Sequence, residues 1–385
     1  MNSQTFFCPT EIICGSGTLN KIKDITSSYG KNCLLVEDPF FKGSKLEKEI
    51  VSLLSDKEVT IYSDVTPNPR TNDIDNGAKA AHIDFIVAIG GGSAIDTAKA
   101  INVVYTNGGS SWDYTKGLNR VMKEIKKPLL PLIAIPTTAG TGTETTRYSV
   151  ITNSQTHEKA TIKSDLIFPI KSIVDPDLML SVPRKTTALT GIDAFAHCFE
   201  AYIGTKANDF SDMFSLKGIE LFANNIKKVC EDGNNIEARY NMALCSTLGG
   251  LSITHSATTL PHGIGQALSG IADAPHGGSI AVCMCEVIKW TLPQAKEKFA
   301  KVACIFDPSL KSKSIDEQAN ALPNILSSLF TEIIGSKVSM KDYGLTEDKI
   351  EDVANMALTN YNGDISRHPK VATKEDLIEI IKSAL

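Results

Sequence analysis

The spacing of hydrophobic positions changes about halfway along the chain. In the first half, four short apolar runs are typical of buried strands, at Lys31–Val36, Val59–Tyr62, Phe85–Ile89 and Leu130–Ile135. The segments between them have the spacing of helices, with one ending near Leu54 and others at Asn72–Ala81 and Ala94–Val104. Strands that alternate with helices predict a parallel, doubly wound sheet with helices on both faces.

The second half has the spacing of long helices and no strand pattern. The predicted helices are Thr186–Tyr202, Asp209–Cys230, Ile236–Thr254, Ser279–Leu292, Pro293–Ile305, Ile315–Ile334, Thr346–Thr359 and Thr373–Ala384. The change of pattern falls near Ser181-Val182-Pro183. We therefore predict an α/β domain at residues 1–181 and an all-α domain at residues 182–385.

Composition narrows the class of protein and its partners. A chain of 385 residues, 42% hydrophobic and 22% charged, can form two domains with sizeable cores. The net charge of -5 and the lack of a basic stripe argue against nucleic acid as a partner. The apolar runs are too short to span a bilayer, and residues 1–7 lack the pattern of a secretion signal. Nine scattered cysteines without a C-x-x-C motif predict buried reduced thiols in a cytoplasmic protein.

A glycine-rich turn connects the strand Phe85–Ile89 to the helix that follows it. This turn, Gly90-Gly91-Gly92-Ser93, would let backbone amides and a helix amino terminus approach an oxyanion. A second Thr/Gly-rich loop, Thr137–Thr143, follows another strand, and ligands of such sheets bind at the carboxyl ends of strands. The pair of loops predicts a phosphate or pyrophosphate site, although a tight turn that needs glycine would explain the first loop alone.

Asp38 comes directly after Glu37, two residues beyond the end of the predicted strand Lys31–Val36. A carboxylate at this position can bind the ribose hydroxyls of NAD and repel the additional phosphate of NADP. The alternative is that Asp38 only caps a turn ahead of Pro39.

Asp193 and His197 lie four residues apart in a predicted helix, so their side chains point to the same face. His262 and His276 each stand between a proline and a glycine, and the glycines would let the backbone pack close to a shared centre. Any one of these residues alone has an ordinary explanation as a cap or a hydrogen-bonded polar side chain. As a set, one carboxylate and three imidazoles suit Fe(II), Zn(II), Ni(II) or Co(II).

Three of the remaining histidines, His82, His157 and His368, are expected at the surface or in loops. His255 lies shortly before His262 and stays open as a further functional residue.

These motifs together resemble those of the iron-containing (group III) alcohol dehydrogenases, in the superfamily that also holds glycerol dehydrogenase and dehydroquinate synthase. The similarity runs nearly end to end. Its segments are Pro67–Pro69, Gly90–Lys99, Pro136–Glu144, Val174–Leu178, Thr190–Ala194 with His197 and Glu200, Pro275–Gly277, Arg367 and Thr373–Ile378.

The resemblance implies a Rossmann-like NAD(P)-binding domain and a helical metal-binding domain of the dehydroquinate synthase-like fold. The residues implied as metal ligands are Asp193, His197, His262 and His276. The residues implied to bind the dinucleotide are Asp38, Asn68, Gly91, Gly92, Ser93, Asp96, Thr137, Thr138, Thr146 and Lys159. Aspartate at position 38 implies NAD, with NADP possible, and the family implies Fe(II) first, then Zn(II) or Ni(II), in a homo-oligomer with a dimer favoured.

The implied reaction interconverts a small primary alcohol or diol and its aldehyde. The metal acts as a Lewis acid on the substrate oxygen, and hydride passes to C4 of the nicotinamide. Many members have a further histidine four residues after the third ligand. Here that residue is Gln266, which can hydrogen-bond but cannot carry a proton.

Two related activities stay open beside this one. A glycerol-type polyol dehydrogenase has a similar metal-ligand helix. A dehydroquinate synthase-like lyase with catalytic NAD usually has a glutamate ligand and basic phosphate-binding residues, which this sequence lacks. A non-enzymatic dinucleotide sensor is disfavoured because all four ligand candidates are present.

Overall fold

The computed structural model of the protein describes residues 3–116, 121–156 and 158–385. Within those ranges the strands are β1 (Glu11–Cys14), β2 (Asn32–Glu37), β3 (Glu58–Tyr62), β4 (Phe85–Gly90), β5 (Leu132–Pro136), β6 (Tyr148–Thr152), β7 (Lys159–Lys163) and β8 (Lys171–Val174). The helices are α1 (Ile22–Thr26), α2 (Lys45–Leu53), α3 (Thr71–Gly77), α4 (Gly92–Asn107), α5 (Arg184–Ile203), α6 (Asp209–Glu231), α7 (Ile236–His255), α8 (Leu260–Ala272), α9 (His276–Phe306), α10 (Ile315–Ile334), α11 (Ile350–Asn360), α12 (Asn362–Arg367) and α13 (Lys374–Ser383).

Six of the described strands form one parallel sheet in the order β1-β8-β5-β4-β2-β3. Alternate residues of its central strands enter two separate hydrophobic clusters. Leu34 and Ile86 pack on one face with α3 and α4, while Leu35 and Phe85 pack on the other face with α1 and α2. Burial on both faces explains why these strands are continuous apolar runs. The predicted doubly wound parallel sheet is confirmed.

Four strands were not predicted from the sequence. The edge strand β1 and its parallel neighbour β8 have only four residues each, which is too few for a clear periodic pattern. The strands β6 and β7 form an antiparallel hairpin outside the main sheet. The backbone N–H of Thr152 in β6 donates to Pro69 O at 2.7 Å, so this hairpin is attached to the proline-rich loop before α3.

The helical part of the chain has two hydrophobic clusters. One lies among α5, α6, α7, α9 and α10, and the other among α8, α9, α11, α12 and α13. The helices α6, α10 and α13 begin with capping boxes at Asn208, Ser314 and Thr373, whereas α8 begins at Thr259 without a side-chain cap of its own.

The predicted helices of the second half are present with one difference. Helices α8 and α12 were not predicted. The predicted helices Ser279–Leu292 and Pro293–Ile305 are both present within α9, on the two sides of a kink where Ala295 departs from helical angles (φ -130°). Proline removes one backbone hydrogen bond, and the kink close to Pro293 separates the two helical segments.

By its contacts the chain forms two compact units. The α/β unit contains Cys8–Thr138 and Thr143–Met179. The helical unit contains Leu180–Leu385, the short segment Ala139–Gly142 and the N-terminal segment that ends at Phe7. The last two segments lie within the range 1–181 that the sequence assigned to the first domain.

Two predictions from the sequence concern the state of the cysteines and the absence of membrane-spanning segments. The nine cysteines are free thiols, of which Cys33, Cys198, Cys230, Cys245 and Cys283 are buried and the other four are half-buried. Burial was therefore predicted correctly for only part of the set. Among the described residues, no helix combines the length and apolar character that a bilayer crossing requires.

Candidate metal and dinucleotide sites

The four candidate metal ligands come from three helices of the helical unit. Asp193 and His197 lie one turn apart in α5, His262 is the third residue of α8, and His276 is the first residue of α9. The first three side chains are buried, and the His276 side chain is 33% exposed. The structure thus brings together four residues that are spread over 84 positions of the sequence.

One carboxylate oxygen of Asp193 lies near a ring nitrogen of each candidate histidine. Asp193 Oδ1 lies 3.7 Å from His197 Nε2, 3.6 Å from His262 Nε2 and 3.5 Å from His276 Nε2. The Nε2 atoms of His197 and His262 are 3.1 Å apart. Two atoms that bind one ion tetrahedrally at about 2.1 Å lie about 3.4 Å from each other. The separations from Asp193 fit a single ion, and the ligand-type atoms of Asp193, His262 and His276 all lie within 4.8 Å of one another. His197 adjoins this group of three through Asp193 and His262.

Asp193 Oδ1 is buried and has no hydrogen-bond partner among the described residues. The surrounding Nε2 atoms lie 3.5–3.7 Å away, which is longer than an ordinary hydrogen bond. Burial alone would raise the pKa of Asp193, but the imidazoles of His197, His276 and His262 hold the pKa of this carboxyl well below its usual range. A buried, ionised oxygen without a partner is costly, and a cation would satisfy it.

Glu200 lies behind His262 and is fully buried. Its Oε1 is 2.6 Å from His262 Nδ1, and its Oε2 accepts from the Thr259 N–H at 2.7 Å. A carboxylate only accepts, so Nδ1 of His262 carries the proton and Nε2 is the atom available to a cation. Burial would lower the pKa of His262, but Glu200 and Asp193 raise it to about 10. A metal ion would therefore have to displace a proton here.

Sequence reasoning gave Glu200 no role beyond membership of a family motif. The signal was present, because Glu200 follows Asp193 by seven residues and His197 by three, which places all three on one face of α5.

The glycines that follow the two Pro-His pairs differ in their effect. A Cβ atom on Gly277 would lie 2.1 Å from Leu189 O, so only glycine lets the start of α9 pack against α5. A Cβ on Gly263 would meet its nearest neighbour, Asp364 Cβ, at an ordinary 3.5 Å. The predicted role in close backbone packing is right for Gly277 and wrong for Gly263.

The other histidines have separate surroundings. His255 donates from Nδ1 to Leu251 O at 2.7 Å, and its Nε2 lies 3.0 Å from both the backbone nitrogen and the carbonyl oxygen of Phe7. His368 was expected at the surface, but it is buried against Thr291 and burial lowers its pKa to about 3. His82 is exposed as expected. His157 lies outside the described residues.

The candidate dinucleotide residues of the α/β unit meet at the carboxyl ends of neighbouring strands. Asp38 N donates to Ile89 O at 3.0 Å, and Thr137 N donates to Gly90 O at 2.9 Å. Gly90 has a φ of 146°, and a Cβ on it would lie 2.9 Å from Asp38 Cβ. The ends of β2, β4 and β5 thus place Asp38 beside the glycine-rich turn.

The helix after this turn, α4, has Gly91 as its N-cap residue and no side-chain cap. An uncapped start of a 16-residue helix offers backbone N–H groups and positive potential to an anion. A Cβ on Gly91 would be 3.4 Å from Thr138 Oγ1, so the second Thr-rich loop lies beside the first.

Several of the residues implied to bind the dinucleotide form hydrogen bonds with other residues of the α/β unit. Lys159 Nζ donates to Asn68 Oδ1 at 2.8 Å, and Asn68 has a φ of 57°. Asp96 accepts from Thr143 Oγ1 at 2.5 Å and from Val150 N at 2.9 Å.

Asp38 Oδ1 accepts from the Phe40 N–H at 3.0 Å. Asp38 therefore caps the turn ahead of Phe40, as the alternative interpretation predicted. Its contact with the ribose stays a prediction.

Comparisons with known proteins agree along the whole chain. The family model described as iron-containing alcohol dehydrogenase matches residues 9–176, and the model for the C-terminal part of the Fe-containing alcohol dehydrogenase family matches residues 187–385. The NAD-dependent methanol dehydrogenase of Bacillus methanolicus is 32% identical over 386 residues, which cover 99% of both chains. The 1,3-propanediol dehydrogenase of Citrobacter freundii is 33% identical over 362 residues, or 92% of each chain.

A solved structure has the same fold as this chain. The alcohol dehydrogenase from Oenococcus oeni has a TM-score of 0.92 at 30% identity, with 100% of both chains covered. The resemblance inferred from the sequence motifs and the predicted two-part fold are both confirmed.

Proposed function

The chain belongs to the iron-containing alcohol dehydrogenase family and is an oxidoreductase of the NAD-dependent type, and from that premise we propose that Asp193, His197, His262 and His276 bind one divalent metal ion. The observation that carries this proposal is the unpartnered, ionised Asp193 Oδ1, which faces three imidazole nitrogens at 3.5–3.7 Å. One carboxylate and three imidazoles suit Fe(II), which we propose as the native ion, with Zn(II) or Ni(II) as alternatives.

The reaction proposed for this site interconverts a small primary alcohol or diol and its aldehyde. A bound divalent ion would supply Lewis acidity toward the substrate oxygen. Asp193 is the one anionic ligand of the set, so the cluster with its ion keeps a net positive charge that favours a developing negative charge nearby. His276 is the most exposed of the four, which indicates the side from which substrate approaches.

We propose that the dinucleotide is NAD and that its pyrophosphate lies at the start of α4, near Gly91, Gly92 and Ser93. The uncapped helix start and the adjacent loop with Thr137 and Thr138 support this placement. The Asp38 carboxylate, beside Gly90, supports a ribose without a 2′-phosphate. Contacts from Asn68, Asp96, Thr146 and Lys159 are part of the same proposal, with Asp96 acting through Thr143 and Val150. A homodimer is the proposed assembly.

The test is reconstitution of metal-free protein. Chelator-stripped protein, handled without oxygen, is loaded with Fe(II), Zn(II), Ni(II) or Co(II) in turn and assayed with a panel of aldehydes under NADH and NADPH. We expect about one ion per chain to restore turnover, with Fe(II) most effective and NADH preferred. Full turnover in the stripped protein, or none with any ion, would contradict the proposal. Faster oxidation of glycerol than of butanol would favour the polyol dehydrogenase alternative.

A further inference from the structure

Glu200 is a fully buried carboxylate for which the proposed reaction has no direct use. It lies on α5, the helix that carries Asp193 and His197. The hydrogen bonds of its side chain to described residues go to the start of α8, the helix that carries His262, at Thr259 and at His262 itself. One buried acid therefore connects the two helices that supply three of the four candidate ligands.

The contacts divide between the two carboxylate oxygens. Oε1 is 2.6 Å from Nδ1 of His262. Oε2 accepts from the Thr259 N–H at 2.7 Å and from Thr259 Oγ1 at 3.2 Å, and it lies 3.4 Å from the His262 N–H. Thr259 is the N-cap residue of α8 and provides no side-chain cap, so Glu200 of α5 takes over the capping of this helix.

The loop before α8 depends on such contacts for its conformation. Ala257 has a φ of 102°, in the left-handed region that a residue with a Cβ adopts only under constraint from its surroundings. The next two residues are each attached to a buried acid, because Thr258 Oγ1 donates to Asp364 Oδ1 at 2.8 Å and Thr259 donates to Glu200. The position of α8 relative to α5 is thus held by side-chain contacts at this loop.

We propose that Glu200 is a positioning residue of the metal site, which fixes the ring of His262 with Nε2 toward the ion and thereby sets the affinity of the cluster for metal. The inference rests on the proposed function, since it requires His262 to be a ligand. Glu200 itself does not bind the ion, because it contacts the opposite ring nitrogen. Carboxylates behind metal-binding histidines typically change affinity by about 10–100-fold.

Two substitutions separate charge from geometry. Glu200→Gln keeps the size of the side chain but removes its charge and turns an N–H group toward one of the present donors. Glu200→Asp keeps the negative charge, but the side chain is shorter by one methylene group, so its carboxylate lies farther from His262. The matched control is Glu237→Gln, an exposed glutamate near the start of α7.

The measurement is the dissociation constant of Co(II) and Zn(II) for metal-free protein, obtained by competition with a chromophoric chelator. The visible spectrum of the Co(II) form and the thermal unfolding of the metal-free form are recorded alongside. We expect both variants to bind about 10–100-fold more weakly than the wild type, with an altered Co(II) spectrum, while the control stays unchanged.

The outcomes distinguish this inference from the proposed function. Wild-type affinity and spectrum in both variants would overturn the role of Glu200 alone. A lower unfolding temperature with unchanged affinity would also overturn it, since it would show a purely structural role. If Glu200→Gln does not fold, Glu200→Asp decides. Failure of the wild type to bind any divalent ion would overturn both proposals.

Discussion

Gln266 follows His262 by one turn of α8 and is half-buried. Its amide can donate and accept hydrogen bonds, but it cannot take up or release a proton at neutral pH. A contact between Gln266 and a substrate would therefore select for a polar substituent and would not deliver a proton. His255 does not supply the missing proton carrier, because its two ring nitrogens are already bonded to Leu251 and Phe7.

Replacing Gln266 with leucine is expected to change substrate choice more than metal binding. A neutral hydrogen bond contributes about 1 kcal/mol, so kcat/KM for a hydroxylated aldehyde should fall about fivefold relative to the unsubstituted aldehyde of equal length. Metal content should stay at the wild-type level. Gln294→Leu, on an exposed part of α9, is the control. An equal effect on both aldehydes would argue against a substrate contact at Gln266.

The sequence allowed the four ligand candidates to be chosen because each carries a visible local sign. Asp193 and His197 have helical spacing, and His262 and His276 share a Pro-His-Gly setting. The spacing of Glu200 places it on the ligand face of α5, but its role could not be predicted, because that role depends on where the start of α8 lies in space.

Helix α4 connects two parts of the proposed dinucleotide site, because it begins at the proposed phosphate site and also holds the loop after β5. Lys99 of this helix is fully buried, and its Nζ lies 2.6–3.2 Å from five oxygens. These oxygens belong to Thr143, Thr146 and Tyr148. The loop that carries the implied cofactor residue Thr146 is therefore fixed against the helix that would bind the pyrophosphate.

Lys99→Met is expected to release this loop. The side chain keeps a similar length, but several buried acceptors lose their donor, which should lower the free energy of unfolding by about 1–3 kcal/mol. We also expect NADH to bind about tenfold more weakly, because the Thr-rich loop no longer has one conformation. Lys48→Met, in the exposed face of α2, is the control. Fluorescence titration with NADH tests this, and lower stability with unchanged NADH affinity would contradict it.

The elements that the sequence did not predict have common physical reasons. Helix α8 contains Gly263 and Gly265 in its first turns, which are poor helix formers, and its cap comes from Glu200 of another helix. Local propensity therefore opposed a helix that burial and a long-range contact stabilise. The strands β1 and β8 were too short to show alternation, and they are identified by pairing with each other.

At the scale of the whole molecule, the candidate residues divide between the two units. The four metal candidates belong to the helical unit, and the residues proposed for the dinucleotide belong to the α/β unit. The two-part organisation could be predicted because the hydrophobic period changes from strand to helix near residue 181. The assignment of Ala139–Gly142 to the helical unit could not, since it depends on contacts such as Gly142 N to Ser246 Oγ at 3.1 Å.

The division of residues between units makes the central claim directly testable with His262→Ala. The variant removes one ligand of the proposed metal site and no residue of the α/β unit. Metal content by elemental analysis, NADH binding and NADH-linked aldehyde reduction are measured on the same preparation. We predict that bound metal falls from about one ion per chain to near zero, that turnover is lost, and that NADH still binds. Wild-type metal content together with full turnover in His262→Ala would contradict the account.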